Sequence, residues 1–143
     1  MEQKKILRVI DVNLNRCREG LRVIEDTFRF ICENDMLRRK IRRIRHTLDT
    51  ILNDKRLAQK LIKTRNTKND LGKTTNKLEM QRENLFDIVY VNFQRAKEST
   101  RVLEELFKVV DKHKVRLLKK IRYQIYAVEK EAFKNWSSLC DSR

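Results

Sequence analysis

The chain of 143 residues contains no proline and only two glycines. A β-sandwich or barrel needs a turn every few residues and draws on those two residue types, so an all-β architecture is excluded and long helices are expected. No apolar run reaches the about 18 residues that a membrane span needs, and the opening MEQKKILRVIDVN has neither the apolar stretch nor the small-residue cleavage site of a signal peptide. Together these absences predict a cytoplasmic protein with no membrane partner. Cys17, Cys32 and Cys140 are odd in number and lack metal-ligand spacing, so neither a disulfide framework nor a zinc site is expected. Cys17 falls on an apolar helical stripe and reads as a small core residue.

What the chain has in excess is positive charge: 35 Lys and Arg against 20 Asp and Glu, a formal net charge of +15. Such a surplus favours anionic partners, whether phosphorylated metabolites, nucleic acid or an acidic membrane surface. Arg38, Arg39, Lys40, Arg42, Arg43 and Arg45 stand almost consecutively. On a helix they encircle the axis instead of forming one stripe, and aromatics for base stacking are sparse nearby, so a solvated face is expected there and nucleic acid is disfavoured as a partner.

The chain also repeats itself. NLNRCREGLRVIEDTFR, from Asn13 to Arg29, returns 79 positions later as NFQRAKESTRVLEELFK, from Asn92 to Lys108. Arg16, Glu19, Arg22, Val23, Glu25 and Phe28 reappear as Arg95, Glu98, Arg101, Val102, Glu104 and Phe107. A packing face needs only apolar residues at the right period, so polar residues held in register point to a site.

Apolar residues at steps of three and four predict a helix over about 8–33, with Ile10, Leu14, Cys17, Leu21, Ile24, Phe28 and Ile31 facing a core. The same pattern predicts its repeat over about 82–110, from Phe86 to Val110. Asn34 and Asp35 cap a second helix continuing to about Ile62, and a turn at about 111–114 leads to a fourth ending near Trp136. Ile44-Arg45-His46 in the second helix aligns with Ile121-Arg122-Tyr123 in the fourth. The expected fold is all-α: one domain over 1–143, a four-helix bundle of two repeated helical hairpins (about 8–62 and 82–139) with pseudo-twofold symmetry, joined by an aperiodic loop at about 64–80. That loop carries Arg65, Asp70, Gly72 and Lys73. Gly72-Lys73-Thr74 is not a phosphate-binding P-loop, because Thr67 stands where the motif's first glycine belongs and no strand precedes it.

At 100° per residue, Asn13, Arg16 and Gly20 fall beside the apolar stripe of the first helix, and Asn92, Arg95 and Ser99 do the same in its repeat. An arginine at that edge needs an anion, either a ligand phosphate or a carboxylate of the protein. Gly20 and Ser99 are small at matching positions, which suits close helix packing and also admits a ligand. A second polar stripe, with Glu19, Arg22 and Asp26 matched by Glu98, Arg101 and Glu105, has carboxylates for magnesium and arginines for phosphate oxygens, but also the spacing of ordinary solvated ion pairs.

The motif DVNLNRCREGLRVIEDTFRF, from Asp11 to Phe30, resembles the alternative hydroxymethylpyrimidine phosphate kinases, all-helical proteins that occur alone or fused ahead of thiamine phosphate synthase. The resemblance extends through Arg45-His46, Arg65, Asp70-Leu71-Gly72, the segment from Asn92 to Glu105, and Arg122-Tyr123. It implies ATP and magnesium as cofactors and transfer of the γ-phosphate to hydroxymethylpyrimidine phosphate, with thiamine phosphate synthase as a possible partner. It implies phosphate clamping by Arg16, Arg95, Arg45 and Arg122, and magnesium binding or arginine orientation by Glu19, Asp26, Glu98 and Glu105. Asn13 and Asn92 would bond the pyrimidine amine and ring nitrogen while Phe93 or Tyr123 stacks on the ring. Arg22, Arg101, Asp70 and Gly72 would complete the substrate contacts. The family loop tends to read Arg-Asp where this chain has Arg65-Asn66. Where the fused forms continue into a synthase barrel this chain stops at Arg143, so no synthase activity is expected of it. The repeat admits one central cleft, two quasi-equivalent sites, or a site completed by a homodimer. Rival functions are a noncatalytic helical partner of thiamine phosphate synthase and a basic RNA-binding module.

Overall fold

The computed structural model describes residues 1–140 and is all-α, its helices joined by turns and one long irregular connection between residues 64 and 84, with no strand among the described residues. The helices are α1 (Glu2–Asp26), α2 (Asp35–Asp49), α3 (Lys55–Lys63), α4 (Leu85–Val110), α5 (Val115–Lys134) and the short α6 (Trp136–Leu139). α1 packs on α4 and α2, and α5 packs on α4 and α2, closing a ring of four helices. Their apolar stripes meet in one core in which Ile10, Leu21, Phe28, Ile41, Phe93, Leu103, Phe107, Ile121 and Ile125 are fully buried. No described helix is long and apolar enough to cross a membrane.

Side-chain caps set several helix starts. Asn34 Oδ1 accepts from Leu37 N at 3.0 Å and Asp54 Oδ1 from Arg56 N at 2.9 Å. Asn84 Oδ1 accepts from Asp87 N at 3.0 Å while Asp87 Oδ2 accepts from Glu83 N at 3.1 Å, so each end of the first turn of α4 is satisfied by the other.

The structure departs from the periodic expectation in three places. The first helix leaves α geometry after Asp26 and makes a π-helical turn over Thr27–Ile31, where Thr27 Oγ1 bonds the Val23 carbonyl at 2.9 Å. The wider turn shifts the phase of the stripe, so Phe28 stays buried while Ile31, expected in the core, is 61 % exposed. The second helix does not run unbroken to Ile62. It tightens to a 3₁₀ turn at Thr50–Leu52 and restarts at Lys55, because Asn53 and Asp54 offer the backbone side-chain alternatives and Asp54 caps α3. Third, Cys32 and Cys140 form a disulfide, contrary to the expectation from cysteine number and spacing. Their Cα atoms lie 4.3 Å apart although 108 positions separate them in sequence, because the turn after α1 and the end of the chain meet at the same corner of the bundle. A crosslink closing so long a loop restricts the unfolded chain, so Cys140→Ser should lower stability by about 2–4 kcal/mol. Urea unfolding of the oxidised parent and the variant, without reductant, measures it; coincident midpoints would refute the crosslink's contribution.

Candidate functional site

α1 and α4 run antiparallel where they meet. The Cys17 thiol lies 3.8 Å from the Ala96 carbonyl and 3.4 Å from Thr100 Oγ1. Three residues further along α1, a Cβ on Gly20 would stand 3.1 Å from the Asn92 carbonyl and 3.8 Å from Arg95 Cβ. Gly20 therefore suits a close approach of the two helices, where even a methyl group would press on the Asn92 carbonyl. Gly20→Leu should force them apart and cost about 1–3 kcal/mol, as overpacking does. Thermal denaturation tests this, and an unchanged or raised melting temperature would show that the approach is not tight.

On the outer side of this contact lies a cavity of about 670 Å³ lined by Asn13, Arg16, Glu19, Gly20 and Val23 of α1 and by Asn92, Arg95, Glu98, Ser99 and Val102 of α4. Each of the five α1 residues has its counterpart 79 positions later among the five from α4. Both copies of the repeated polar motif thus line one cleft. Glu79 of the interhelical connection completes the lining.

Asn13 and Asn92 form the buried floor, 3 % and 8 % exposed. Asn13 Nδ2 donates to the Val9 carbonyl at 2.9 Å and Asn92 Nδ2 to the Ile88 carbonyl at 2.8 Å. A carbonyl oxygen can only accept, which fixes the orientation of both amides and leaves each Oδ1 as a free acceptor direction. Arg16, Arg95, Glu19 and Glu98 are exposed to the cleft. None of the four makes an ion pair among the described residues.

The other expected site arginines are already answered by the protein. Glu25, 3 % exposed, accepts from Arg45 Nε at 2.8 Å and lies 4.0 Å from Arg22 Nη1. In the second half Glu104, 2 % exposed, accepts from Arg122 Nε at 2.9 Å and Arg101 Nη1 at 3.0 Å. The hydrogen bond that Arg122 donates to Glu104 raises the guanidinium pKa above its ordinary value and keeps it fully charged. Arg22, Arg45, Arg101 and Arg122 all lie outside the cleft lining.

Phe93 is fully buried and packs against Phe28 and Phe133 with ring centroids 6.5 and 5.9 Å away, which corrects its expected stacking role: a core ring has no face to offer a ligand. Tyr123 is exposed beside Tyr126 and the Arg122 guanidinium, on α5 and outside the cleft. Asp26 and Glu105 also lie outside the lining; Glu105 pairs with Lys108 at 2.7 Å and Arg101 at 3.3 Å. Its hydrogen bond with Lys108 draws its carboxyl below the ordinary glutamate value. Asp70 closes an exposed turn by accepting from Gly72 N at 2.9 Å, and neither residue reaches the cleft. Arg65 anchors the start of the connection through Asp11, which is buried, at 2.7 and 3.0 Å.

The basic cluster does not encircle α2 as expected. Lys40 and Arg45 turn to Glu131 and Glu25, while Arg38, Arg39, Arg42, Arg43 and His46 line one shallow depression. Asp35 pairs with Arg38 and Arg39, and the bond from Arg38 draws its carboxyl below the ordinary aspartate value.

Cys17 is unsuited to thiol chemistry, since burial pushes its pKa up and stabilises the neutral form. No three His, Cys, Asp or Glu side chains converge to hold a metal among the described residues. Two arginines against three glutamates leave the cleft with a slight negative balance inside a basic protein. That donor set fits magnesium arriving with phosphate, an ion usually held by one or two carboxylates and the phosphate's own oxygens rather than by an all-protein cage.

The model of the ThiD2 family matches residues 8–131, a span that contains most of α1, all of α2, α3 and α4, and the whole cleft. The chain belongs to the ThiD2 family. Among the relatives of this ThiD2-family chain, a thiamine-phosphate synthase from Nostoc punctiforme is 35 % identical over 128 residues, covering 89 % of this chain and 35 % of that protein. One from Synechocystis sp. is 37 % identical over 125 residues, with 87 % and 35 % covered. One from Rhodopirellula baltica is 33 % identical over 131 residues, with 91 % and 35 % covered. The chain thus spans about a third of the length of these curated relatives. No solved structure matches it.

Proposed function

We propose that this chain is a phosphotransferase of thiamine biosynthesis that moves the γ-phosphoryl group of ATP to hydroxymethylpyrimidine phosphate. The observation that carries this is the convergence of Asn13, Arg16 and Glu19 with Asn92, Arg95 and Glu98 in one cleft, where the arginines form no ion pair among the described residues. The thiamine-phosphate synthase relatives support the pathway. A pyrimidine-phosphate oxygen attacks the γ-phosphorus, the bond from that phosphorus to the β–γ bridging oxygen breaks, and ADP leaves with the bridging electron pair. Little covalent chemistry is asked of the protein, so positioning and charge neutralisation supply the rate. Arg16 and Arg95 each offer a planar fork of donors to phosphate oxygens. The floor asparagines offer Oδ1 acceptors to ring amines. Glu19 and Glu98 would hold magnesium, whose charge lowers repulsion among the phosphates.

Incubating the pure protein with hydroxymethylpyrimidine phosphate, ATP and magnesium should give the pyrimidine diphosphate and ADP, detected by mass spectrometry. Binding of the pyrimidine phosphate with no diphosphate formed would replace catalysis with a carrier role beside a synthase. Because the cleft supplies no closed metal cage, chelation with EDTA should abolish turnover without changing the melting temperature. A chelator-dependent loss of fold, or full activity in EDTA, would overturn that expectation.

A further inference from the structure

We infer that the cleft is a two-headed site, built to hold two amine-bearing heterocyclic phosphates tail to tail, phosphate against phosphate, one half-site from each repeat. The register of the helices carries the inference. With Cys17 beside Ala96 and Thr100, and Gly20 beside Asn92 and Arg95, the facing position on α4 falls as the position on α1 rises. Asn13 therefore lies level with Val102 at one end of the cleft, and Asn92 lies level with Val23 at the other.

Ten residues of helix between those levels put the two asparagines roughly 15 Å apart along the bundle axis. By the same register Arg16 lies level with Ser99 and Arg95 with Gly20, so the two guanidinium-bearing positions are only about 6 Å apart along the axis, between the asparagines. On the same register Glu98 lies level with Cys17 and Glu19 with Ala96, so both carboxylates fall between the two arginines. The order along the cleft is acceptor, cation, two carboxylates that suit a magnesium bridging the phosphates, cation, acceptor.

Each half thus presents the same complement. An Asn Oδ1 can accept from an exocyclic amine because its own Nδ2 is committed to a helix carbonyl, and an arginine next to it can take a phosphate. Aminopyrimidine phosphates and adenine nucleotides both combine an exocyclic amine beside a ring nitrogen with a phosphate carried outside the ring. Two such molecules laid tail to tail bring their phosphates together in the middle, where Gly20 and Ser99 leave room. The cavity of about 670 Å³ is of a size that holds small ligands rather than a single anion. The proposed phosphoryl transfer supplies the identity of the two natural ligands; the two-headed geometry does not depend on it.

Diadenosine pentaphosphate, with an adenine at each end of a polyphosphate bridge, is the direct probe. Titration calorimetry with magnesium should show one molecule bound per chain, at least tenfold more tightly than ATP. Asn13→Ala and Asn92→Ala should each weaken it about three- to tenfold, the range of one net hydrogen bond. Both variants should leave inorganic tripolyphosphate binding unchanged. Two dinucleotides per chain, no gain over ATP, or a loss confined to one of the two variants would overturn the two-headed site, and the first two readouts need no variant to fold. Kinase product without tight dinucleotide binding would sink this inference alone. Tight one-to-one binding without product would sink the kinase and leave the two-headed site standing.

Discussion

Arg16→Met and Arg95→Met are each expected to lower turnover by about 10³-fold or more, the scale of a transition-state arginine in phosphoryl transfer. Both side chains are exposed to the cleft and neither has a carboxylate partner among the described residues, so a bound phosphate is the anion left to answer them. Methionine has nearly the helix propensity of arginine, and surface changes away from special contacts shift stability by only about 0.5 kcal/mol, so the fold should be kept. Steady-state kinetics beside thermal melts separates the two effects. Turnover within tenfold of the parent, in a folded variant, would remove that arginine from the chemistry. The double variant should lose less than the product of the single losses, because two cations clamping one phosphate group act as a unit.

Glu104→Ala should act in the opposite sense, on stability instead of chemistry. Glu104 is 2 % exposed and receives Arg122 at 2.9 Å and Arg101 at 3.0 Å. Removing it strands a charged guanidinium whose side chain is 13 % exposed. Breaking a buried pair from one side costs about 3–5 kcal/mol, and for a domain of this size that lowers the melting temperature by roughly 10–20 °C. Glu25→Ala, which strands Arg45, should fall in the same range. Well below the melting temperature both variants should still bind diadenosine pentaphosphate, because neither pair lines the cleft. A melting temperature within about 2 °C of the parent would show that Arg122 is not held by Glu104 in solution and return it to the pool of phosphate ligands.

The contrast between these arginines marks where sequence reasoning stops. Arg16 and Arg45 both sit at the edge of an apolar stripe, and periodicity assigns them the same helical environment. Which one meets a carboxylate depends on the neighbouring helix. Within each hairpin, Glu25 and Glu104 pair with Arg45 and Arg122, whereas Arg16 and Arg95 share the cleft with Glu19 and Glu98 without forming an ion pair among the described residues. Phe93 was open to a binding role for a similar reason: a ring on the stripe can face a ligand or the core, and the packing of Phe28 and Phe133 puts it in the core. Glu79 had no signal at all, since it lies in the aperiodic connection and has no counterpart in the repeat.

By itself the sequence determined the helical class, the buried face of each long helix and the pairing of Asn13, Arg16 and Glu19 with Asn92, Arg95 and Glu98, because helical periodicity and an internal repeat are properties of one dimension. Tertiary structure alone decided that those two sets share one cleft, that four other arginines are spent on buried carboxylates, and that Cys32 reaches Cys140. The reason is that spacing along the chain fixes an angle around a helix axis but not the register of one helix against another. That register shows at Cys17 against Ala96 and Thr100 and at Gly20 against Asn92, and the lining of the cleft follows from it.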